Sequence, residues 1–260
     1  MGLSDVAKGE GGLRRFFVEA LNDQDGTCVI TGPEARHMTR VLRMKPGDRF
    51  VLMAGDGRRY EAVVAATGGR EVKVSLVAPL PTPAPSPIRL TLLQSLLKSG
   101  PMDYLIQKTS ELGVHRIIPF SSERTVVHLN QEQLSRRTAR WQKIAVSAAK
   151  QSGRSIPMEI GPFYAYGEVI QEYESVPGLK VILWEDEPCT ALKDALKEAS
   201  SFECFTGIIG PEGGFSKEEV RTAGAAGFVP VSLGRRILRA ETAAIAVAAI
   251  VQYEKGDLGR

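Results

Sequence analysis

Residues 208–219 read IIGPEGGFSKEE. An apolar strand end runs into Gly210, Pro211, Glu212, Gly213 and Gly214, and Ser216 with Glu219 then supplies the S-x-x-E box that opens a helix. Glycine lets a backbone approach a ligand closely and leaves its N–H groups exposed. The stretch is no P-loop, because no G-K-[ST] follows, and it lacks the G-x-G-x-x-G of dinucleotide folds. Taken alone, it is a tight strand-to-helix turn.

A second stretch, 231–250, reads VSLGRRILRAETAAIAVAAI. A strand ends at Leu233 and Gly234, and an irregular basic segment follows. An alanine-rich helix then starts, with Glu241 or Thr242 expected at its cap. Two strands that both end in glycine loops can enclose one ligand, so the pair says more than either part. Around them strands are expected at 88–96, 116–120, 180–185, 205–209 and 229–233. Helices are expected at 102–112, 133–152, 166–174, 191–199, 217–226 and 240–254. That alternation predicts an α/β fold with a mainly parallel sheet covered on both faces. Ligands in such folds bind beyond the carboxyl ends of the strands.

Residues 79–87 read PLPTPAPSP, an extended connector. The expected organisation is a small N-terminal domain at 1–80, a proline-rich linker at 81–87 and an α/β domain at 88–260. In the first domain, short strands are expected at 15–20, 27–31, 48–53, 60–67 and 72–78, with one helix at 33–44. Such a pattern predicts a small β-barrel.

The whole chain has 260 residues, 43% apolar and 24% charged, enough for two ordinary cores. Its three cysteines, Cys28, Cys189 and Cys204, form no C-x-x-C pair, so neither a disulfide framework nor a zinc site is expected. His115 and His128 have no ligand-spaced carboxylate or thiol, and no metal is expected. The polar start lacks the apolar run of a secretion signal, and the most apolar stretch, 242–251, is too short for a bilayer. A cytoplasmic location is the expectation.

A net charge of +3 decides little, but its distribution is informative. From 134 to 154 there is no acidic residue, and Arg136, Arg140, Lys143, Lys150 and Arg154 recur at near-helical spacing. A stripe of one sign reads as a footprint for phosphates. Arg36, Arg40 and Arg43 are expected on one side of the short N-terminal helix, in a domain that also carries Arg14, Arg15, His37 and Lys45. His37 either stacks on a base or satisfies a local hydrogen bond.

The segments QKTSELGV (107–114), RWQKIAVSAAKQSGR (140–154), IGPEGGFS (209–216) and LGRRILRAETAA (233–244) together resemble the RsmE family. These are SPOUT-superfamily methyltransferases acting on N3 of a uridine in 16S ribosomal RNA. The likeness extends back through HMTRVLRMKPGD (37–48) to 15–17. It implies a PUA-like N-terminal barrel, a trefoil-knotted α/β domain and a homodimer. It also implies S-adenosylmethionine as cofactor and ribosomal RNA or the small subunit as partner. By motif the cofactor would be held by Leu183, Trp184 and Glu185, by Gly210, Pro211, Glu212, Gly213 and Gly214, and by Leu233, Gly234, Ile237, Leu238 and Arg239. RNA would meet Arg15, Arg36, His37, Arg40, Arg43, Arg124, Arg136, Arg140, Lys143 and Arg154. Pro101 and Asp103 stand where relatives usually carry Lys and Glu, and Arg235 stands where Pro is common.

Methyl transfer to N3 of uridine is an in-line displacement and requires loss of the N3 proton. Arg239 and Glu241, just past the second glycine loop, are the candidate catalytic groups, with Glu212 behind them. Three other readings compete: a non-enzymatic RNA-binding or assembly protein, an α/β enzyme using ATP or NAD, and a SPOUT methyltransferase with another RNA target.

Overall fold

Strand β2 (Thr27–Thr31) alternates exposed and buried residues, turning Cys28 and Ile30 inward. That period of two is what a half-buried strand requires. It joins β1 (Arg15–Val18), β3 (Arg49–Ala54), β4 (Arg59–Thr67) and β5 (Glu71–Leu80) in one five-stranded sheet of order β1-β3-β4-β5-β2. The β1–β3 pair is parallel and the others are antiparallel. Register shifts after Glu61 and Val64 interrupt the β4–β5 ladder, and such irregularities bend a sheet. Phe16, Ile30, Met38, Phe50, Leu52, Val64 and Val74 fill its core. The five strands match the expectation, with β1 and β2 at the two ends of the strand order.

The helix expected at 33–44 is interrupted. An α-helical turn, α1 (Gly32–Arg36), passes into a π-helical turn at His37–Val41, and Arg43 takes a left-handed backbone with φ 52°. Arg43 therefore leaves the helix, and the three arginines do not share one regular face.

The computed structural model describes residues 12–22, 25–185, 190–199 and 201–259; Cys189 lies outside them. The chain divides into two units, Met1–Ala84 with Ala149–Pro157, and Pro85–Ala148 with Met158–Arg260. The break falls at 84/85, inside the proline-rich segment expected at 81–87. The return of Ala149–Pro157 to the first unit had no sequence signal. Two contacts account for it. The Arg15 guanidinium donates to the carbonyls of Lys150 and Gln151, and Lys150 pairs with Glu34 at 2.7 Å.

In the second unit, β6 (Arg89–Ser95), β7 (Arg116–Ser121), β8 (Glu159–Ile160), β10 (Leu179–Leu183), β11 (Thr190–Ala191), β12 (Cys204–Ile209) and β13 (Val229–Ser232) form a parallel sheet. Its order is β11-β13-β10-β12-β6-β7-β8, and β9 (Tyr164–Ala165) adds to β7. Adjacent residues of one strand serve opposite faces. Leu92, Ile117 and Val181 pack under α2 (Ser99–Glu111), α3 (Gln131–Ser152), α5 (Leu192–Glu198) and α7 (Ala240–Glu254). Leu93, Ile118 and Ile182 pack under α4 (Tyr166–Glu174) and α6 (Lys217–Ala225). This is the two-faced α/β sheet that the alternation predicts. The three strands of two residues, β8, β9 and β11, were not foreseen, because two residues carry no periodicity.

Candidate functional site

The parallel order β13-β10-β12 sets three strand ends side by side. Trp184 and Glu185 follow β10, residues 210–214 follow β12, and residues 233–239 follow β13. Their loops enclose a cavity of about 470 Å³. Trp184 ties the first loop to the third strand by donating its backbone N–H to the Val231 carbonyl at 3.0 Å.

The glycine turn is shaped by contact as well as by backbone angle. Gly214 has φ +66°, and a Cβ placed there would sit 2.7 Å from Oε1 of Glu185. A Cβ on Gly210 would press on the Phe215 ring at 3.1 Å. Phe215 is itself held among Phe120 and Tyr166. The expected capping box is present: Ser216 Oγ accepts from the Glu219 N–H, and the Glu219 carboxylate accepts from the Ser216 N–H. Tyr166 donates its hydroxyl to the Glu219 carbonyl at 2.6 Å. Burial, with a smaller contribution from the Glu219 carboxylate, pushes the Tyr166 phenol well above the ordinary range and keeps it protonated.

The third loop turns at Gly234, φ +116°, and delivers Arg239 to the N-cap of α7. The cap expected from Glu241 or Thr242 is not made; Arg239 holds that position and its side chain makes no capping bond. Glu241 lies in the helix's first turn. Among the described residues, Glu185, Glu212, Arg236, Arg239 and Glu241 line the cavity without an ion pair or side-chain hydrogen bond. Leu183, Ile209, Phe215, Leu238 and Ala243 supply apolar wall. The site thus combines an apolar lining with carboxylates and guanidiniums that have no side-chain partner among the described residues. That suits a ligand with an apolar ring system and a charged tail.

A family model described as RNA methyltransferase domain matches residues 84–252, and one described as RNA methyltransferase PUA domain matches residues 30–77. The chain belongs to the RNA methyltransferase family. It is 34% identical to ribosomal RNA small subunit methyltransferase E of Aquifex aeolicus, over 86% of this chain and 93% of that one. With its Bacillus subtilis counterpart it shares 28% identity over 93% of this chain and 97% of that one. The crystal structure of the Neisseria gonorrhoeae ribosomal RNA small subunit methyltransferase E bound to S-adenosyl methionine superposes with a TM-score of 0.82. That match has 32% identity and covers 95% and 99% of the two chains. A Legionella pneumophila protein in complex with the cofactor SAM superposes with a TM-score of 0.88 at 30% identity, covering 95% and 99%. The N-terminal sheet is thus the PUA-like part of an RNA methyltransferase.

In this methyltransferase every residue expected at the cofactor lines the cavity except Gly213, whose carbonyl accepts from Arg124 at 3.1 Å. All three candidate catalytic residues, Arg239, Glu241 and Glu212, are also in the lining. Sequence reasoning missed Ile209, Phe215, Val231, Ser232, Arg236, Ala240 and Ala243, which the motif spans bracket but whose inward side the spacing does not show. The departure at Pro101 matters more than expected, since Pro101 is part of the wall. Asp103, the other departure, pairs with Arg140 at 2.7 Å.

The basic stripe of α3 is partly answered. Besides Arg140, Arg136 pairs with Glu132 at 2.5 Å and Lys150 with Glu34. These carboxylates lie outside 134–154, where the sequence count could not see them. Lys143 stays exposed, and Arg154, just past the stop at Gly153 (φ +81°), is half-buried. Arg15 caps the carbonyl end of α3, and His37 packs edge-on against Phe16 at 5.9 Å. Arg36, Arg40 and Arg43 are exposed.

Tyr166→Phe removes one hydrogen bond beneath the turn and should cost about 1 kcal/mol in urea unfolding. The phenol's folded pKa is raised, so its stabilisation is complete below the ordinary value of about 10 and is lost as pH rises beyond it. The variant should therefore lose less stability at alkaline pH than wild type; equal alkaline slopes would remove this role.

Proposed function

We propose that this chain transfers the methyl group of S-adenosylmethionine to N3 of a uridine in 16S ribosomal RNA, in the cytoplasm. One observation carries the reading: the cavity at three adjacent strand ends gathers twelve of the thirteen residues expected at the cofactor, in a chain whose relatives are solved with it bound. A volume of about 470 Å³ suits a nucleoside-sized ligand. Leu183, Ile209, Leu238 and Ala243 would hold its apolar part, and Glu185, Glu212 and the Gly210–Gly214 amides its polar groups.

The cofactor supplies an electrophilic methyl group on a sulfonium. The protein's task is alignment, charge and proton management. Arg239 presents a cation where the uridine imide develops negative charge on losing its N3 proton. Glu241, in the same helical turn, is the proposed proton acceptor, with Glu212 on the facing loop as the alternative. RNA backbone contacts are assigned to Arg36, His37, Arg40 and Arg43 in the first unit and to Arg136, Arg140 and Lys143 in the second. Arg15 and Arg154 stand behind these because their side chains are half-buried.

The trefoil knot belongs to the same proposal. In its support, β12 lies between β10 and β6 while β13 returns outside β10, so the three loops after them converge. Homodimerisation is proposed through α7, whose outward stripe Ala246, Ala249, Ile250 and Tyr253 carries no charge; Ile250 is 38% and Tyr253 67% exposed.

Arg239→Ala should lower kcat by about a hundredfold or more while S-adenosylmethionine affinity stays near wild type. Full turnover would end its catalytic assignment. Arg136→Ala with Lys143→Ala should weaken rRNA binding and flatten its dependence on salt, because fewer counterions are released. Unchanged affinity at low salt would take α3 out of the footprint. Tyr253→Glu should convert a dimer to a monomer in sedimentation velocity, and a wild type already monomeric would overturn the dimer.

A further inference from the structure

The loop Ser122–Thr125 follows β7, on the far side of β6 from the strand ends that form the cavity. It nevertheless reaches the glycine turn. Arg124 Nη1 donates to the Gly213 carbonyl at 3.1 Å, and a Cβ on Gly213 would lie 3.1 Å from the Arg124 Cβ. One residue back, the Glu123 N–H donates to Oε1 of Glu219 at 2.9 Å. The other Glu219 oxygen accepts from the Ser216 N–H at 2.9 Å. Glu219 is 7% exposed, so both of its oxygens are spent on backbone amides of two different loops.

The inner side of the loop is tied down by hydrogen bonds. Thr125 Oγ1 accepts from the Ser122 N–H at 2.8 Å and lies 2.9 Å from the fully buried Ser95 hydroxyl at the end of β6. A mobile surface loop does not need a buried hydroxyl cluster and a buried carboxylate to hold its backbone. The capping box alone would satisfy the start of α6 with one Glu219 oxygen; the second is committed to this loop. Gly213, the one expected cofactor residue absent from the cavity wall, is the residue the loop grips.

We propose that Ser122–Thr125 is a strap that sets the Gly210–Gly214 turn in its binding shape, with Arg124 and Glu219 as positioning residues for methyl transfer. The strap rests on the reading that this turn holds S-adenosylmethionine. It assigns Arg124 to cofactor affinity ahead of RNA affinity. Neither residue lines the cavity, so both act through the turn.

The test measures S-adenosylmethionine binding by calorimetry, and KM and kcat for methylation of unmodified small-subunit rRNA. Wild type, Arg124→Ala, Arg124→Lys and Glu219→Gln are compared, with thermal melting of each. Arg124→Ala should raise Kd and KM for S-adenosylmethionine by roughly fivefold to tenfold, the scale of one hydrogen bond, with kcat and KM for RNA within about twofold. Lysine, which keeps one donor, should recover part of that loss. Glu219→Gln should move the same constants in the same direction, because a carboxamide has one acceptor oxygen for two amide donors. Arg124 is exposed, so its variants keep the test open if Glu219→Gln unfolds. A rise in KM for RNA with cofactor affinity unchanged would overturn the strap, as would equal constants in all four proteins. A wild type that binds no S-adenosylmethionine would instead overturn the functional reading beneath it.

Discussion

The structure depends on the parallel hydrogen bonding of β10 to β12 on one side and β13 on the other. Parallel strands all end on the same edge of the sheet. Whatever follows these three strands must therefore emerge at one place. The loops 184–185, 210–214 and 233–239 are separated by tens of residues in sequence but are neighbours through this ladder. Both faces of the sheet are covered by helices, and the cavity lies at this edge, beyond the strand ends.

Against that edge the chain places small residues where backbones meet. Gly210 fits under the Phe215 ring, Gly213 against Arg124 and Gly214 against Glu185. The alanines of α7 allow the helix to pack directly on the sheet, with Ala244, Val247, Ala248 and Val251 fully buried. At its far end Gln252 is also fully buried; it accepts from Ser86 Oγ and donates to the Gly113 carbonyl. A buried amide with both ends bonded stabilises one placement of α7 over others. The N-terminal end of the same helix carries Arg239 and Glu241 into the cavity lining.

Charge is used differently in the cavity and on the surface. Glu185, Glu212, Arg236, Arg239 and Glu241 face the cavity without pairing among the described residues, whereas the cations of α3 largely find carboxylates. Exposed pairs of this kind contribute little stability, and salt screens them. Pairing does not remove a cation from an RNA footprint, but RNA must then compete with the carboxylate. Lys143 is exposed and has no such ion pair among the described residues.

Sequence alone determined the order of the longer elements of the α/β unit, the five N-terminal strands, the capping box at Ser216 and Glu219, and the two glycine loops after β12 and β13; the loop at 184–185 came only from the family resemblance. All but the last are local properties: periodicity, caps and glycine turns act over a few residues. Tertiary structure decided the rest. It routed Ala149–Pro157 back to the first unit through Arg15 and Glu34, and it set Pro101 in the cavity wall. It placed Arg124 on Gly213 and gave the second oxygen of Glu219 to the Glu123 amide. Each of these joins residues far apart in the chain, and which distant groups meet depends on strand order and helix packing, which no local window contains.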